Sequence, residues 1–383
     1  MSVVYTENGA AVALGSGVTI TDADDVNLSG AVLEITSGYT AGDALALVTQ
    51  NGISGSWNSS THRLTLSGTR SLGNYRSAIS AVTFISTSDD PTANSSTRQI
   101  SIQVRDANRD GASSGQALSN TAGATITITA VGDAPTLSGA PGTAPTYVEA
   151  ASPTLLAPNL TISDADDTQL SKASVRISSG LRAGDSLSFT AASPSISGQY
   201  NADTGVLKLS GLASVADYQT TLRSVAFAST SADPTGGAST DSRNFVWQVV
   251  DADSDGTGVG MSSPLSTSLT LQAINAAPSI GSTVTAVPYQ EGDPGAILNS
   301  SLRLSDSDSS QLSAASVSIT AGLTSGDTLS LPISVSGITA SYNASSGVLS
   351  LTGNASLGDY QRALQAVIFS STSSNPTAGS SCL

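Results

Sequence analysis

Apolar and polar residues alternate over many short stretches of this chain. In its first third they do so at Val18–Ile20, Val32–Ile35, Ala44–Leu47, Leu64–Leu66, Val82–Phe84, Ile100–Val104 and Ile126–Ile128. A period of two is that of a strand with one face buried, so each stretch predicts a strand. Seven or more strands within about 135 residues predict a sandwich of two sheets. A tight hairpin is written as YNADTGVLKL from Tyr200 and YNASSGVLSL from Tyr342, where Gly205 and Gly347 can take the left-handed conformation such a turn needs. One short helix interrupts the strands as SLGNYRSAI, SVADYQTTL and SLGDYQRAL. Ser71, Ser214 and Ser356 are placed to cap it. The spacing of four between Tyr75 and Ile79, Tyr218 and Leu222, and Tyr360 and Leu364 turns one apolar face toward the sandwich.

The pattern is copied. Glu7, Glu149 and Glu291 lie 142 residues apart, and so do the acidic turns that begin at Asp22, Asp164 and Asp306. Asp43, Asp185 and Asp327 keep the period; Tyr75, Tyr218 and Tyr360, then Phe84, Phe227 and Phe369, keep it within one residue. Self-similarity on this scale predicts an array of one module. The expected units are residues 1–134, 135–277 and 278–383. Their boundaries, VGDAPTLSG and INAAPSIGS, contain proline and no flexible Gly/Ser linker, which predicts a restricted orientation between neighbours and a semi-rigid rod. The third copy reaches only the counterpart of residues just after Phe84 and Pro91. It is expected to lack the last two strands, and to be unstable, sticky or completed by other material.

Composition narrows the class. Hydrophobic residues make up 39% of the 383, enough for packed cores, while charged residues are 11% and aromatics 4%. The formal charge of -15 disfavours nucleic acid and anionic lipid as partners and favours divalent cations. A single cysteine, Cys382, rules out an intramolecular disulfide. No run approaches the ~20 apolar residues of a membrane span, and MSVVYTENGA has neither a basic nor an apolar leader region; it opens directly on a strand-like VVYT, which suggests a piece of something longer.

The recurring carboxylates carry the candidate chemistry. The first copy offers Glu7, Asp22, Asp24, Asp25, Asp106, Asn108, Asp110 and Asp133. The second repeats them as Glu149, Asp164, Asp166, Asp167, Asp251, Asp253 and Asp255, with Asn275 at its closing junction; the third has Glu291, Asp306 and Asp308. Calcium takes six to eight hard oxygen ligands, and alternating acids let side chains and carbonyls converge on one ion. Without a cation, gathered carboxylates repel one another. The bland alternative is that Asp and Asn are turn formers that bond nearby backbone N–H groups. Three acidic segments recurring together favour calcium over that alternative. Arg105 and Arg109 dilute the first copy's set.

The order E-N-G-A, D-A-D-D, V-x-D-A-N-x-D-G and a closing D-A-P resembles the cadherin-like repeats of giant bacterial adhesins exported by type I secretion. The resemblance implies all-β, tandem Greek-key β-sandwich domains of the cadherin/immunoglobulin-like kind, each here with one short helix. It also implies that an N-terminal Glu, a mid-domain D-x-D and junctional acids hold calcium between neighbouring repeats. On that basis the chain is expected to be a secreted or cell-surface spacer, stiffened by calcium. Its partners would be its own neighbouring repeats, with any cell-surface or glycan ligand bound through other regions. Asn275 in place of the Asp133 type departs from the pattern at the second junction.

Two rival readings have named residues. Ser-His-Asp chemistry needs a histidine, and the one present, His62, sits where the other copies have Gly205 and Gly347, so it reads as a turn residue and no enzyme is expected. Trp57, Tyr200 and Tyr342 align across the copies and could stack on sugars, as in a carbohydrate- or protein-binding module accessory to a secreted enzyme, or could be half-buried sandwich residues. Their exposure discriminates the two.

Overall fold

The computed structural model describes residues 1–15, 17–108, 118–253, 256–283 and 286–375. The first group of elements is β1 (Ser2–Thr6), β2 (Val12–Ala13), β3 (Asn27–Ser37), β4 (Ala44–Ala46), β5 (Ser54–Asn58), β6 (Arg63–Ser71), α1 (Leu72–Ser80), β7 (Thr83–Ile85), β8 (Thr97–Asp106) and β9 (Ala122–Thr129). The second is β10 (Thr136–Ser138), β11 (Thr146–Val148), β12 (Thr154–Leu155), β13 (Thr161–Ser163), β14 (Gln169–Ser179), β15 (Asp185–Ser188), β16 (Ser197–Asn201), β17 (Val206–Ser214), α2 (Val215–Arg223), β18 (Ala226–Ser229), β19 (Thr240–Asp251) and β20 (Leu265–Gln272). The third is β21 (Ser279–Gly281), β22 (Ala296–Ile297), β23 (Arg303–Ser305), β24 (Gln311–Ser318), β25 (Asp327–Ser330), β26 (Thr339–Asn343), β27 (Val348–Ser356), α3 (Leu357–Gln365) and β28 (Ile368–Ser371).

Each group packs two sheets face to face. In the first, β1-β9-β8-β3-β6-β5 faces β2-β7-β4; in the second, β11-β20-β19-β14-β17-β16 faces β12-β18-β15. Inward side chains from the large sheet, Leu33, Leu64, Ile102 and Ile126, meet Leu45 and Phe84 of the small one. The alternation read in the sequence is the in-and-out pleat of these strands. Phe84 of the small sheet meets Tyr5 of the large one edge to face, their ring centroids 5.3 Å apart.

The helix closes one end of each core. Ser71, Ser214 and Ser356 cap it, each hydroxyl accepting from the N–H three residues on, at 3.3, 3.0 and 3.1 Å. Tyr75, Tyr218 and Tyr360 are buried, and each hydroxyl donates to a glycine carbonyl seven residues back, at Gly68, Gly211 and Gly353. Those glycines must stay glycine: a Cβ on Gly68 would sit 2.4 Å from the Gly52 carbonyl oxygen, and the backbone there is left-handed with φ 129°.

One strand expectation fails. Val18–Ile20 is not a strand, although its counterparts are, as β13 and β23. The difference is the partner: β13 pairs with β10 and β23 with β21, segments supplied by the junction that precedes them. Residues 18–20 have no such partner among the described residues. The same pairing ties each junction onto the group that follows it.

A buried ion pair fastens the two sheets. Arg98 heads β8 and its Nε donates to Asp43 Oδ2 at 2.5 Å, both side chains fully enclosed. Arg243, the fourth residue of β19, does the same to Asp185 at 2.6 Å. Other guanidinium donors reach the Pro91 and Ser95 carbonyls from Arg98, and the Pro234 carbonyl and Asp241 Oδ2 from Arg243, so the buried cations are hydrogen-bonded as well as paired.

Candidate metal centre

Strand direction divides one copy's acids between its two ends. β1 runs parallel to β9, so Glu7 emerges where β9 stops, and its N–H donates to the Thr129 carbonyl. β3 begins just after Asp22, Asp24 and Asp25, and its Leu28 pairs with Asp106 at the end of β8. Those acids therefore lie an 11-residue strand away from Glu7, roughly 35 Å at the usual rise. The second copy is divided alike: Asp251 pairs with Leu170 beside Asp164–Asp167, while Glu149 accepts from the Ile274 N–H at the far end. A set gathered at one junction thus draws its Glu from one copy and its D-A-D-D from the next.

The first junction brings these together. Glu7 is buried; its Oε2 accepts from the Val131 N–H at 2.9 Å and its Oε1 has no partner. Two residues on, the Asp133 N–H donates to Asp166 Oδ2 at 2.9 Å. Asp164 Oδ1 accepts from the N–H groups of Asp166 and Asp167 at 3.4 and 3.0 Å. One carboxylate oxygen from each of Asp164, Asp166 and Asp167 lies within 4.8 Å of the others. Asp251, fully buried, accepts from the Gly260 and Asp253 N–H groups. Glycines allow this approach: a Cβ on Gly132 would stand 2.5 Å from the Gly258 carbonyl oxygen, and one on Gly260 2.8 Å from the Ala134 Cα.

The electrostatics are those of crowded carboxylates. Burial, followed by Asp166, pushes Asp164 up to about 6. Burial raises Glu7, and Asp133, Asp166 and Asp90 raise it further; burial with Asp166 and Asp89 raises Asp133; burial with Asp167 and Asp166 raises Asp251. Every charged group that raises them is another carboxylate. Asp164 Oδ2 and Asp166 Oδ1 are buried without a hydrogen-bond partner, as is Glu7 Oε1. Hard anionic oxygens with lone pairs left over, and no sulfur or imidazole among them, fit calcium and not zinc.

The same D-A-D-D behaves differently at the other end of the first copy. Asp22 lies below the ordinary carboxylate range, held there first by the Asp25 N–H, and Asp24 is exposed. Asp106 Oδ1 accepts from the Asn108 N–H at 3.1 Å. Asp110 and Asp255 lie outside the described residues.

At the second junction Asp308 Oδ2 accepts from the Ala276 N–H at 2.6 Å, the counterpart of the Asp133–Asp166 contact, and Asp308 Oδ1 is buried without a partner. Asp306 is held below its ordinary range by hydrogen bonding to the Asp308 side chain and then by the N–H groups of Asp308 and Ser309. A cleft there is lined by Asp233, Asn275, Asp308 and Ser309, with the Asn275 amide donating to the Ala276 carbonyl. Glu291 is exposed at the opposite end of the third group, beside Tyr289, whose hydroxyl donates to the Ser371 carbonyl.

Asp89, Asp90 and Asp233 face the junctions and lie outside the carboxylate set that the repeat pattern singles out. Their signal was the repeated S-T-S-D-D-P and S-T-S-A-D-P just before Pro91 and Pro234. An acid before a proline also reads as an ordinary turn, so this motif alone does not mark a ligand. The rival sites fare differently: His62 has φ 54°, matching 65° and 66° at Gly205 and Gly347, and stacks on Tyr39 at 3.6 Å. Trp57, Tyr200 and Tyr342 are half-buried against the cores, and the hydroxyls of the two tyrosines donate to the Asp185 and Asp327 carbonyls.

No protein-family model and no curated protein matches this chain. Solved structures similar to it are cadherin ectodomains: protocadherin gamma B2 extracellular domains 1-5 (10% identity, TM-score 0.29, covering 93% of this chain and 52% of that one), Drosophila N-cadherin EC1-4 (10%, 0.27, 92% and 64%) and the human desmocollin-1 ectodomain (11%, 0.22, 91% and 51%). The chain thus spans about half to two thirds of the length of these structures. Likeness at this level bears on neither ligand nor activity; the all-β sandwich class stands on the sheets themselves. Among the described residues, no helix is long and apolar enough to cross a membrane.

Proposed function

We propose that the chain is a calcium-stiffened spacer built of three β-sandwich repeats, with junctions near residues 134 and 277, from a large bacterial surface or secreted adhesin. The observation that carries this reading is the first junction: Glu7 of one repeat, Asp133 between, and Asp164, Asp166, Asp167 and Asp251 of the next converge with three buried oxygens left without partners. A bound calcium would take these oxygens as ligands and offset their mutual repulsion. Asp90 stands near enough to raise Glu7 and joins the candidate set. Asp233, Asn275 and Asp308 would hold a poorer ion at the second junction, where an amide replaces one carboxylate. Because the ligands come from both sides, the ion would resist bending of one repeat against the next, and the extracellular setting follows from the millimolar calcium such sites require. Isothermal titration of the full chain with calcium tests the proposal. Saturable binding that Asp166→Asn weakens supports it; no heat of binding at millimolar calcium ends it.

A further inference from the structure

The chain has two lysines, and both stand on one face of the second group. β14 pairs with β17 so that Lys172 lies opposite Ser210, Ser174 opposite Lys208 and Arg176 opposite Val206. The residues between them, Ala173, Val175, Leu207 and Leu209, are buried, so Lys172, Arg176 and Lys208 share the outward face of the sheet, where all three are exposed. Lys208 stands across from the residue midway between the other two. It is a diagonal neighbour of each, about 7 to 8 Å away along the backbone trace, while Lys172 and Arg176 are roughly 13 Å apart along β14.

Nothing in the fold balances this charge. β14, β16, β17 and the hairpin that joins the last two contain one acid, Asp203, and none of the three cations makes an ion pair among the described residues. The sister groups show that the sheet does not need them. At the matching positions the first group has Gly30, Glu34 and Thr65, with Glu34 paired to Arg63 at 2.9 Å; the third has Ala314, Ser318 and Ser350. Three like charges gathered on one face repel one another, so the arrangement suits an anion from outside.

Beside the cations a shallow trough of about 730 Å³ runs over the outer face of β16 and β17. Ser197, Gln199, Asn201, Lys208 and Ser210 line it, hydroxyls and amides that both donate and accept, with one ammonium among them. Gln199 pairs with Lys208 and Ser197 with Ser210, so the trough and the cations share one face. These rows hold no aromatic side chain for a sugar ring to stack on, and no large apolar anchor of the kind on which a protein interface is centred. Charge and hydrogen bonding are what the face offers.

We propose that this face of the second group binds an acidic polysaccharide. Its uronate carboxylates meet Lys172, Arg176 and Lys208, and its ring hydroxyls meet Gln199, Asn201 and the serines of the trough. The overall charge of -15 opposes this only weakly, since at physiological salt an exposed charge is screened beyond about 8 Å. None of these residues belongs to a junction, so the proposal goes beyond the calcium reading and is independent of it.

The probe is a fluorescent oligogalacturonate of fixed length, titrated into the full chain in excess chelator so that calcium cannot bridge it to the junction acids. Its fully methyl-esterified form and poly-L-glutamate are the controls. Saturable binding that weakens as salt rises is expected for the oligogalacturonate alone. Lys172→Ala, Arg176→Ser and Lys208→Thr should each weaken it about two- to five-fold, the scale of one exposed ion pair, and together about ten-fold or more. Arg63→Ser, which removes a cation from the first group, should leave binding unchanged. The replaced side chains are exposed, and an unaltered urea midpoint shows that the fold is intact. Equal binding of the methyl ester, equal loss on Arg63→Ser, poly-L-glutamate binding as tightly, which would mark a face for an acidic protein, or no saturable binding would each overturn the proposal.

Discussion

The main-chain N–H of Asp133, the last acid before the second repeat, donates to the Asp166 carboxylate at 2.9 Å, so the junction is bound to the repeat that follows it through one of that repeat's own acids. An acid used in this way has one oxygen fixed and the other free to meet a cation. The same relationship recurs between Ala276 and Asp308.

Calcium should raise the unfolding temperature of the first two repeats. Extracellular sites bind at about 0.1 to 1 mM, so at a few millimolar calcium each adds on the order of 1 to 2 kcal/mol by mass action. Asp166→Asn is expected to abolish most of that gain at the first junction. Differential scanning calorimetry with calcium and with chelator measures both, and a midpoint indifferent to calcium refutes the metal centre.

In chelator the junction should be more stable in mild acid than at neutral pH. Asp164 titrates at about 6 in the fold against an ordinary 3.8, and Glu7, Asp133 and Asp251 are also raised. A carboxylate with a raised folded pKa binds more protons in the native state. Its contribution is therefore complete below the unfolded value and is lost as pH rises through the folded one, between about 4 and 6. Urea midpoints in chelator should fall from pH 5 to pH 7. Calcium should flatten or reverse that trend, because it binds the ionised form.

Removing one partner of the buried ion pair should be severe. Arg98→Ala or Arg243→Ala strands Asp43 or Asp185 in the core and is expected to cost about 3 to 5 kcal/mol. Replacing both partners by apolar residues, Arg98→Met with Asp43→Leu, should recover much of the loss. Chemical denaturation of the single and double variants gives the coupling; a single variant within about 0.5 kcal/mol of the parent would contradict the burial.

The helix plug offers a milder test. Ser214→Ala removes the hydroxyl that accepts from the Asp217 N–H and should cost about 1 kcal/mol. Tyr218→Phe removes the donor to the Gly211 carbonyl and should cost about the same, since the carbonyl is left without it in a partly buried place. Both are read as shifts in urea midpoint at constant slope.

Local chemistry wrote much of this protein in advance. The alternation of Ile100 to Val104, the glycine at 205, the serine at 71 and the tyrosine four residues before Ile79 each act over a few residues, and the strands, turn, cap and buried helix face follow from them. The period of 142 likewise reappears, within one residue, in the spacing of α1, α2 and α3. The tertiary structure decided how the pieces meet. Only the parallel pairing of β1 with β9 sends Glu7 away from Asp22 and toward Asp133. Only the first junction makes the turn a raised, crowded cluster at Asp164, whereas Asp22 and, at the second junction, Asp306 are lowered. The Arg98–Asp43 and Arg243–Asp185 pairs were hidden for a related reason: the loop before the arginine differs in length between copies, so a fixed period misses them. Periodicity records which face of an element is apolar. It does not record which distant element that face or charge will meet, because that is set by strand direction and burial together.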